Sequence, residues 1–328
     1  MKYLILLFVF LFISCEESSS IKIMRGNALG TTYSIKYFSG DVNIRNSEID
    51  SLLNVINTSM SSYINNSDIS RINSGDISVV VDSHFQEVFN LSHRIFENTD
   101  GYFDPSVGLL VNAYGFGPDG YSMTVSKKEI DSIYQFVGFD KIHLTDQYTI
   151  KSSVPEIYID FNAVAKGYTV DLFGNYLDSK NIDNYLVEIG GEVKVRGLNL
   201  DNDKPWKVGI ELPLENGSRE LKYGVNLYDE SMATSGNYRK FRVDSITGKK
   251  YVHTINPKTG QSQKTNILSA SVIAKTCAEA DAYATAFMAM GFEKAKYYLS
   301  EQSDLKAVFI YSDIQGNQKS FISEQLEE

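Results

Sequence analysis

The sequence predicts an α+β protein: a mixed, largely antiparallel sheet core with packed helices, in a single compact body of two interlocked subdomains. Three observations carry that expectation. Helical periodicity dominates the first half, whereas residues 185–274 are mostly β. Strands and helices therefore come in blocks and not in regular βαβ units. No G-x-G-x-x-G opens a helix after a strand, which leaves a dinucleotide-binding βαβ unit without support.

Taken in order, residues 21–38 alternate apolar and polar around Leu29-Gly30-Thr31-Thr32, which predicts two strands joined at a Gly-bearing turn or bulge. Ile44–Tyr63 and His84–Asn98 have helical periodicity, and Pro105–Ala113 and Lys127–Phe136 read as shorter helices. Strands are expected near Lys141–Thr149 and Glu156–Asp160, followed by a helix over Ala165–Asp178. The β block holds Tyr185–Gly197, Trp206–Leu212, Leu221–Leu227, Tyr238–Val243, Lys250–Ile255 and Ser269–Ala274. A helix of small side chains over Thr276–Met290, a second helix from Phe292 and a last strand around Ala307–Tyr311 close the chain.

The N-terminus reads as targeting and not as fold. Lys2 is followed by an apolar run, Tyr3–Ile13, and then by Ser14-Cys15. The run is shorter than the roughly 20 residues a spanning helix needs. A cysteine at the cleavage point resembles a bacterial lipoprotein signal, although Phe12 stands where an aliphatic residue is usual; the alternative is an ordinary secretory signal with a chance cysteine. The expected organisation is a signal peptide over 1–14, an acylated (palmitate-type) Cys15 with a polar tether over 15–22, and one folded domain over 23–328. That places the protein in the bacterial cell envelope, lipid-anchored to a membrane, with its domain outside the cytoplasm, in the periplasm. With Cys15 acylated, Cys277 is the remaining thiol and no internal disulfide forms. An apolar share of 43% fits a globular body, and a formal charge of -10 without a Lys/Arg cluster argues against nucleic acid as a partner.

Five segments carry candidate chemistry. Within Thr276–Met290, Asp281 and Thr285 are one helical turn apart on one face, with alanines keeping that face low. A carboxylate and a neutral oxygen form part of the shell a hard cation accepts; an Ala-rich core helix with a paired Asp explains the same pattern, and the segment alone favours it. Gly101–Gly108 (GYFDPSVG) is a turn into a helix, where Asp104 before Pro105 fits an N-cap. Alternatively Asp104 and its aromatic neighbours grip a planar ligand, beside the rigid 112–118 loop (NAYGFGP). Tyr158–Gly167 joins a strand end to a helix start, a place that suits phosphates, with Lys166 as a phosphate partner or a solvated lysine and Asp160 as a possible cap. Residues 233–239 (ATSGNYR) put hydroxyls and Arg239 beside a Gly turn. His253, in the 253–260 turn (HTINPKTG), is either a base near neutral pH or a structural strand-end histidine. No HExxH or CxxC occurs, which argues against a zinc enzyme.

Together and in order, these segments resemble the FAD:protein FMN transferases, the ApbE family. The matching strings are LGTTYSI at 29–35, MSSYINNSDISRINS at 60–74, GYFDPSVGLLVNAYGFGP at 101–118 and IDFNAVAKGYTVD at 159–171. They continue as LVEIGGEVKVRG at 186–197, ATSGNYRKF at 233–241, HTINPKTG at 253–260 and AEADAYATAFMAMG at 278–291. The resemblance implies magnesium-dependent transfer of FMN from FAD to a Ser or Thr hydroxyl of a target protein, with release of AMP, on an ApbE-like (T-fold-like) body. It implies that Leu29, Tyr63, Tyr102, Phe103, Asp104, Asp160, Lys166 and Ile255 line the FAD site. It further implies that Asp281, Thr285 and the Ala163 carbonyl hold Mg2+, and that His253 acts as base or positioning group. The acceptor is then an exported or membrane protein, such as a subunit of a redox complex. Two positions depart from the family pattern: Asn162-Ala163 replaces a usual Gly-Gly or Ser-Gly pair, and Asn256 replaces an Asp. Two other functions compete, an FAD pyrophosphatase yielding FMN and AMP and a non-catalytic FAD-binding lipoprotein.

Overall fold

The computed structural model describes residues 20–118, 125–214, 220–237, 241–243, 250–262 and 265–326. Residues 1–14, expected as a signal peptide, and Cys15 and Arg239 lie outside these residues. An eight-stranded sheet organises the body, in the order Ser20–Ala28, Thr31–Ser39, Tyr185–Ile189, Glu192–Arg196, Ser231–Gly236, Ile267–Ala274, Lys306–Ser312 and Gln318–Ile322. Every neighbouring pair in it is antiparallel. The α+β class with a largely antiparallel sheet core holds, and in this sheet the antiparallel pairing is complete. This single sheet runs through what the sequence suggested as two interlocked subdomains. Ser20, Ile21 and Lys22, read as tether, already belong to the first strand.

The first hairpin turns at Leu29 and Gly30, with φ of 49° and 75°. A two-residue turn with both φ positive matches the right-handed twist of the strands it joins. Glycine adopts that conformation freely, whereas a leucine there costs about 1–2 kcal/mol.

The two faces of the sheet are covered differently. Tyr185, Val187 and Ile189 pack with Val170, Phe173 and Leu177 of the Ala165–Ser179 helix. Val193 and Val195 point the other way, into a cluster with Trp206, Ile210 and Leu227, which come from the separate hairpin of Trp206–Glu211 with Leu221–Leu227. On the helical face, the Cys277–Met290 helix lies beside the Ala165–Ser179 helix and over strands Ser231–Gly236 and Ile267–Ala274. It is buried nearly all round, as a helix without a polar face must be. Its small residues admit the neighbouring backbone. A Cβ added at Gly167 would sit 2.3 Å from the Cys277 carbonyl oxygen.

Several elements differ from the sequence reading. Residues 233–236, read as part of a Gly turn, lie in the central strand Ser231–Gly236, while the Asp68–Asn73 helix and the Gln318–Ile322 strand were not anticipated. Glu156–Asp160 has a strand pattern but joins no sheet. The Asn73 side chain takes both the N–H and the carbonyl of Ile159, at 2.8 and 2.9 Å, and the Asp160 N–H donates to Pro105 O at 2.8 Å. Among the described residues no helix is long and apolar enough to cross a membrane.

Candidate active site

The junction of the two central helices brings several predicted residues together. Asp281 is 3% exposed, and its Oδ2 accepts the Gly167 N–H at 3.1 Å. Burial raises its pKa, opposed by the Lys166 charge and the Gly167 bond. In an uninterrupted helix the Gly167 N–H would reach the carbonyl four residues earlier, that of Ala163. Its donation to Asp281 leaves the Ala163 oxygen available in the turn that precedes the Ala165–Ser179 helix. Thr285 follows Asp281 by one turn, and its Oγ1 is 3.2 Å from Ser235 Oγ. One buried carboxylate, one hydroxyl and one carbonyl are oxygen donors of the kind a hard cation takes.

Lys166 is one-third exposed but paired: its ammonium donates to Glu192 Oε1. Burial disfavours that ammonium, but the charges of Asp281 and Glu192 hold its pKa above the ordinary value. Glu192 is 2% exposed, and burial pushes its carboxyl up to about 7 against the pull of Lys166. Its Oε2 is buried with no hydrogen-bond partner among the described residues.

Glu192 opens a ladder of ion pairs between strand and helix. Alternate residues of the strand reach the Ala165–Ser179 helix: Glu192 to Lys166, Lys194 to Asp171 at 2.9 Å, and Arg196 to Asp178 at 2.7 Å. Asp171 also caps the Asp281 helix, accepting the N–H groups of Cys277 and Ala278 at 3.0 and 2.9 Å. Such a carboxylate complements the positive end of the helix dipole. Sequence reasoning missed Glu192, Asp171 and the Asn73 clamp. The alternation E-V-K-V-R was the available signal, although charges at every second residue ordinarily mark the solvent face of a strand.

The other predicted residues fall around this junction. Asp160 Oδ1 accepts the Asn162 N–H at 2.8 Å, closing a local turn and not capping the helix, whose N-cap is Val164. Tyr63, 60% exposed, has its pKa raised by burial of part of the ring and then by the charge of Asp160, so the two are neighbours. Leu29 borders a groove of about 480 Å³ together with Leu53 and Asn57.

The Gly101–Asp104 turn divides its residues. The Tyr102 hydroxyl accepts from Lys294, and the Lys294 and Lys258 nitrogens lie 5.1 and 5.9 Å from its ring centre. Phe103 is in the core, at 2% exposure, and offers no free ring face. Asp104 is the N-cap that the Asp-Pro pair predicts, its Oδ1 accepting from Ser106 N at 2.8 Å and Ser106 Oγ at 2.6 Å. Burial pushes its carboxyl up to about 6. It borders a second cavity, of about 260 Å³, shared with Phe96, Gly138 and Lys258.

His253 meets Phe116 edge-on at 6.4 Å, and Ile255 is buried with Leu110, Ile130 and Val137. Asn256 has a clear local role: its Oδ1 accepts the Lys258 N–H at 2.9 Å and its Nδ2 donates to Ala289 O at 3.4 Å. The contacts thus give two clusters. One joins Lys166 and Gly167 to Glu192 and Asp281, with Thr285 a turn beyond Asp281 on its helix; the other joins Asp104 and the 257–258 turn around the smaller cavity.

The same architecture is found in known proteins. The family model described as the ApbE family matches residues 29–309. A Vibrio cholerae serotype O1 protein named FAD:protein FMN transferase is 36% identical over 289 residues, covering 85% of this chain and 84% of its own. One of the same name from Haemophilus influenzae is 31% identical, covering 90% of this chain and 88% of its own. Among solved structures, the flavin transferase ApbE from Vibrio cholerae superposes with a TM-score of 0.83 at 31% identity, covering 94% of this chain and 99% of that one. The apo flavinyl transferase ApbE of Pseudomonas stutzeri gives a TM-score of 0.82 at 28% identity, covering 94% and 97%. With sequence and fold agreeing over nearly its whole described length, the chain belongs to the ApbE family.

Proposed function

We propose that this protein transfers FMN from FAD, through a phosphoester bond, to a Ser or Thr hydroxyl of a partner protein and releases AMP. The observation that carries the reading is the Asp281–Gly167 bond, which sets a buried carboxylate against the start of the Ala165–Ser179 helix, with Thr285 one helical turn further along its own helix. The relatives named FAD:protein FMN transferase support the same reaction. The donor set fits Mg2+, which takes about six oxygens and keeps positions for water and phosphate. Asp281, Thr285 and Ala163 would hold it, and when bound it would neutralise charge on the pyrophosphate.

The remaining groups bind, orient and exchange protons. Lys166 and the start of the Ala165–Ser179 helix present positive charge to the FAD phosphates. Leu29, Tyr63, Tyr102, Asp104 and Asp160 form the walls of the FAD site, with buried Phe103 and Ile255 supporting them from behind. The acceptor oxygen forms a bond to the FMN phosphorus as the bond from that phosphorus to the AMP phosphate oxygen breaks. The acceptor proton passes to a base, for which His253 is the proposed group.

The Cys15 lipid anchor, a position in the cell envelope with the domain in the periplasm, and an exported or membrane-bound acceptor such as a redox-complex subunit belong to the same proposal. They rest on the N-terminal sequence. The test is incubation with FAD, Mg2+ and candidate exported proteins. The expected result is an FMN-sized mass increase and in-gel flavin fluorescence on the acceptor, both lost in Asp281→Asn. Absence of covalent flavin on every acceptor sinks the reading, and fast AMP release that no acceptor alters identifies an FAD pyrophosphatase instead.

A further inference from the structure

The buried charges around Asp281 do not balance. Asp281 and Glu192 are both nearly inaccessible, and Lys166 is the cation that bonds Glu192 and feels the charge of Asp281. The neighbouring carboxylate, Asp171, is already saturated by Lys194 and two backbone N–H groups. One ammonium therefore serves two carboxylates. It bonds Glu192 Oε1, while the larger of its two attractive charges is Asp281.

Glu192 also keeps an unused acceptor. Its Oε2 is buried and unpartnered among the described residues, and an ammonium has three N–H donors to give. Glu192 can thus hold the ammonium through either oxygen and keep it off Asp281. A single carboxylate with an adjacent ammonium is a poor cation site, because the two positive charges compete for the same oxygens. The strand glutamate removes that difficulty.

We propose that Lys166 is an internal counterion which competes with the divalent cation for Asp281, and that Glu192 sets the outcome by offering the ammonium a second seat. This deepens the magnesium reading given above and rests on it. Glu192 is in this sense a positioning residue, acting through Lys166. The ammonium already bonds Glu192 while Asp281 takes the Gly167 N–H, so the seat that keeps it off Asp281 is formed before a cation arrives.

Calorimetric titration of the folded protein with magnesium chloride, in the absence of FAD, tests the idea. Glu192→Gln should weaken Mg2+ binding, because the ammonium is left with Asp281 alone. Lys166→Met should strengthen it, because the competitor is gone. Each change is expected to be on the order of tenfold for one unit charge added or removed beside the site. The double variant should return near the wild-type affinity, and Glu192→Asp should stay close to it. A merely structural role for the pair predicts that both single variants weaken binding, and that outcome overturns the proposal. So do unchanged affinities, which leave the magnesium reading standing. No Mg2+ binding by the wild-type protein overturns both together. If Glu192→Gln does not fold, Lys166→Met decides by its sign: tighter binding supports the proposal and weaker binding overturns it.

Discussion

Removing Asp171 is the sharpest test of how the site is held together. Its carboxylate accepts the Cys277 and Ala278 N–H groups at 3.0 and 2.9 Å and pairs with Lys194 at 2.9 Å, at 7% exposure. Alanine there leaves two helix-start donors and a mostly buried ammonium without partners. An unsatisfied buried group costs about 1–3 kcal/mol, and breaking a buried pair costs about 3–5 kcal/mol. The losses overlap, so about 4 kcal/mol is expected for Asp171→Ala. For a chain of this size that is a fall in Tm of roughly 8 °C, measured by circular dichroism at neutral pH. The proper control is Asp178→Asn, on the same helix. Its partner Arg196 is 41% exposed, and such pairs contribute at most about 1 kcal/mol. If Asp171→Ala melts no lower than Asp178→Asn, the argument that Asp171 holds the Asp281 helix in place is wrong.

Other substitutions probe neighbouring points. Gly167→Ala should lower Tm despite alanine's better helix propensity of about 1 kcal/mol, because its Cβ would meet the Cys277 carbonyl at 2.3 Å; a raised Tm would show that the helices can separate without cost. Asp104, shifted upward by burial to about 6 from an ordinary 3.8, keeps its proton in the folded state while the unfolded chain has lost it. Its contribution to stability is therefore present at pH below the unfolded value and lost as pH rises to about 6, amounting to about 3 kcal/mol. Asp104→Asn should lack this loss, so thermal melts at pH 4 and pH 7 should show the variant gaining on the wild type as pH rises; a pH-independent difference would refute the buried-carboxylate account. Asn256→Asp keeps the turn acceptor for Lys258 but sets a carboxylate against Ala289 O in the last helical turn, which should cost about 1 kcal/mol in denaturant unfolding; an unchanged midpoint would mean the Nδ2 contact contributes nothing.

Where local chemistry decides the structure, the sequence was readable. The Leu29-Gly30 hairpin and the Asp104-Pro105 cap follow from turn and cap preferences, and the Thr276–Met290 pattern from helical spacing. Tertiary pairing was not readable. Ser231–Gly236 is made of mostly small residues, only Thr234 among them favouring a strand, and is a strand because Glu192–Arg196 and Ile267–Ala274 flank it. Glu156–Asp160 has the opposite problem: its pattern is that of a strand, but a distant asparagine side chain satisfies its backbone. At the site, the spacing of Asp281 and Thr285 was visible, and a family likeness supplied the Ala163 turn. The paired state of Lys166 was not visible, since its partner lies 26 positions away on a strand whose charged face is turned inward.

The alternating strand charges also act as a key that admits one alignment. Slide the Glu192–Arg196 strand by two residues in one direction, and Lys194 faces Lys166. Slide it the other way, and Glu192 faces Asp171. Both misalignments bring like charges together in a poorly solvated layer, where they repel strongly. A sheet hydrophobic on the same face would tolerate either slip with little penalty. During folding, the helix bearing Lys166 can thus settle on the sheet in only one register, and that register is the one that delivers Gly167 to Asp281.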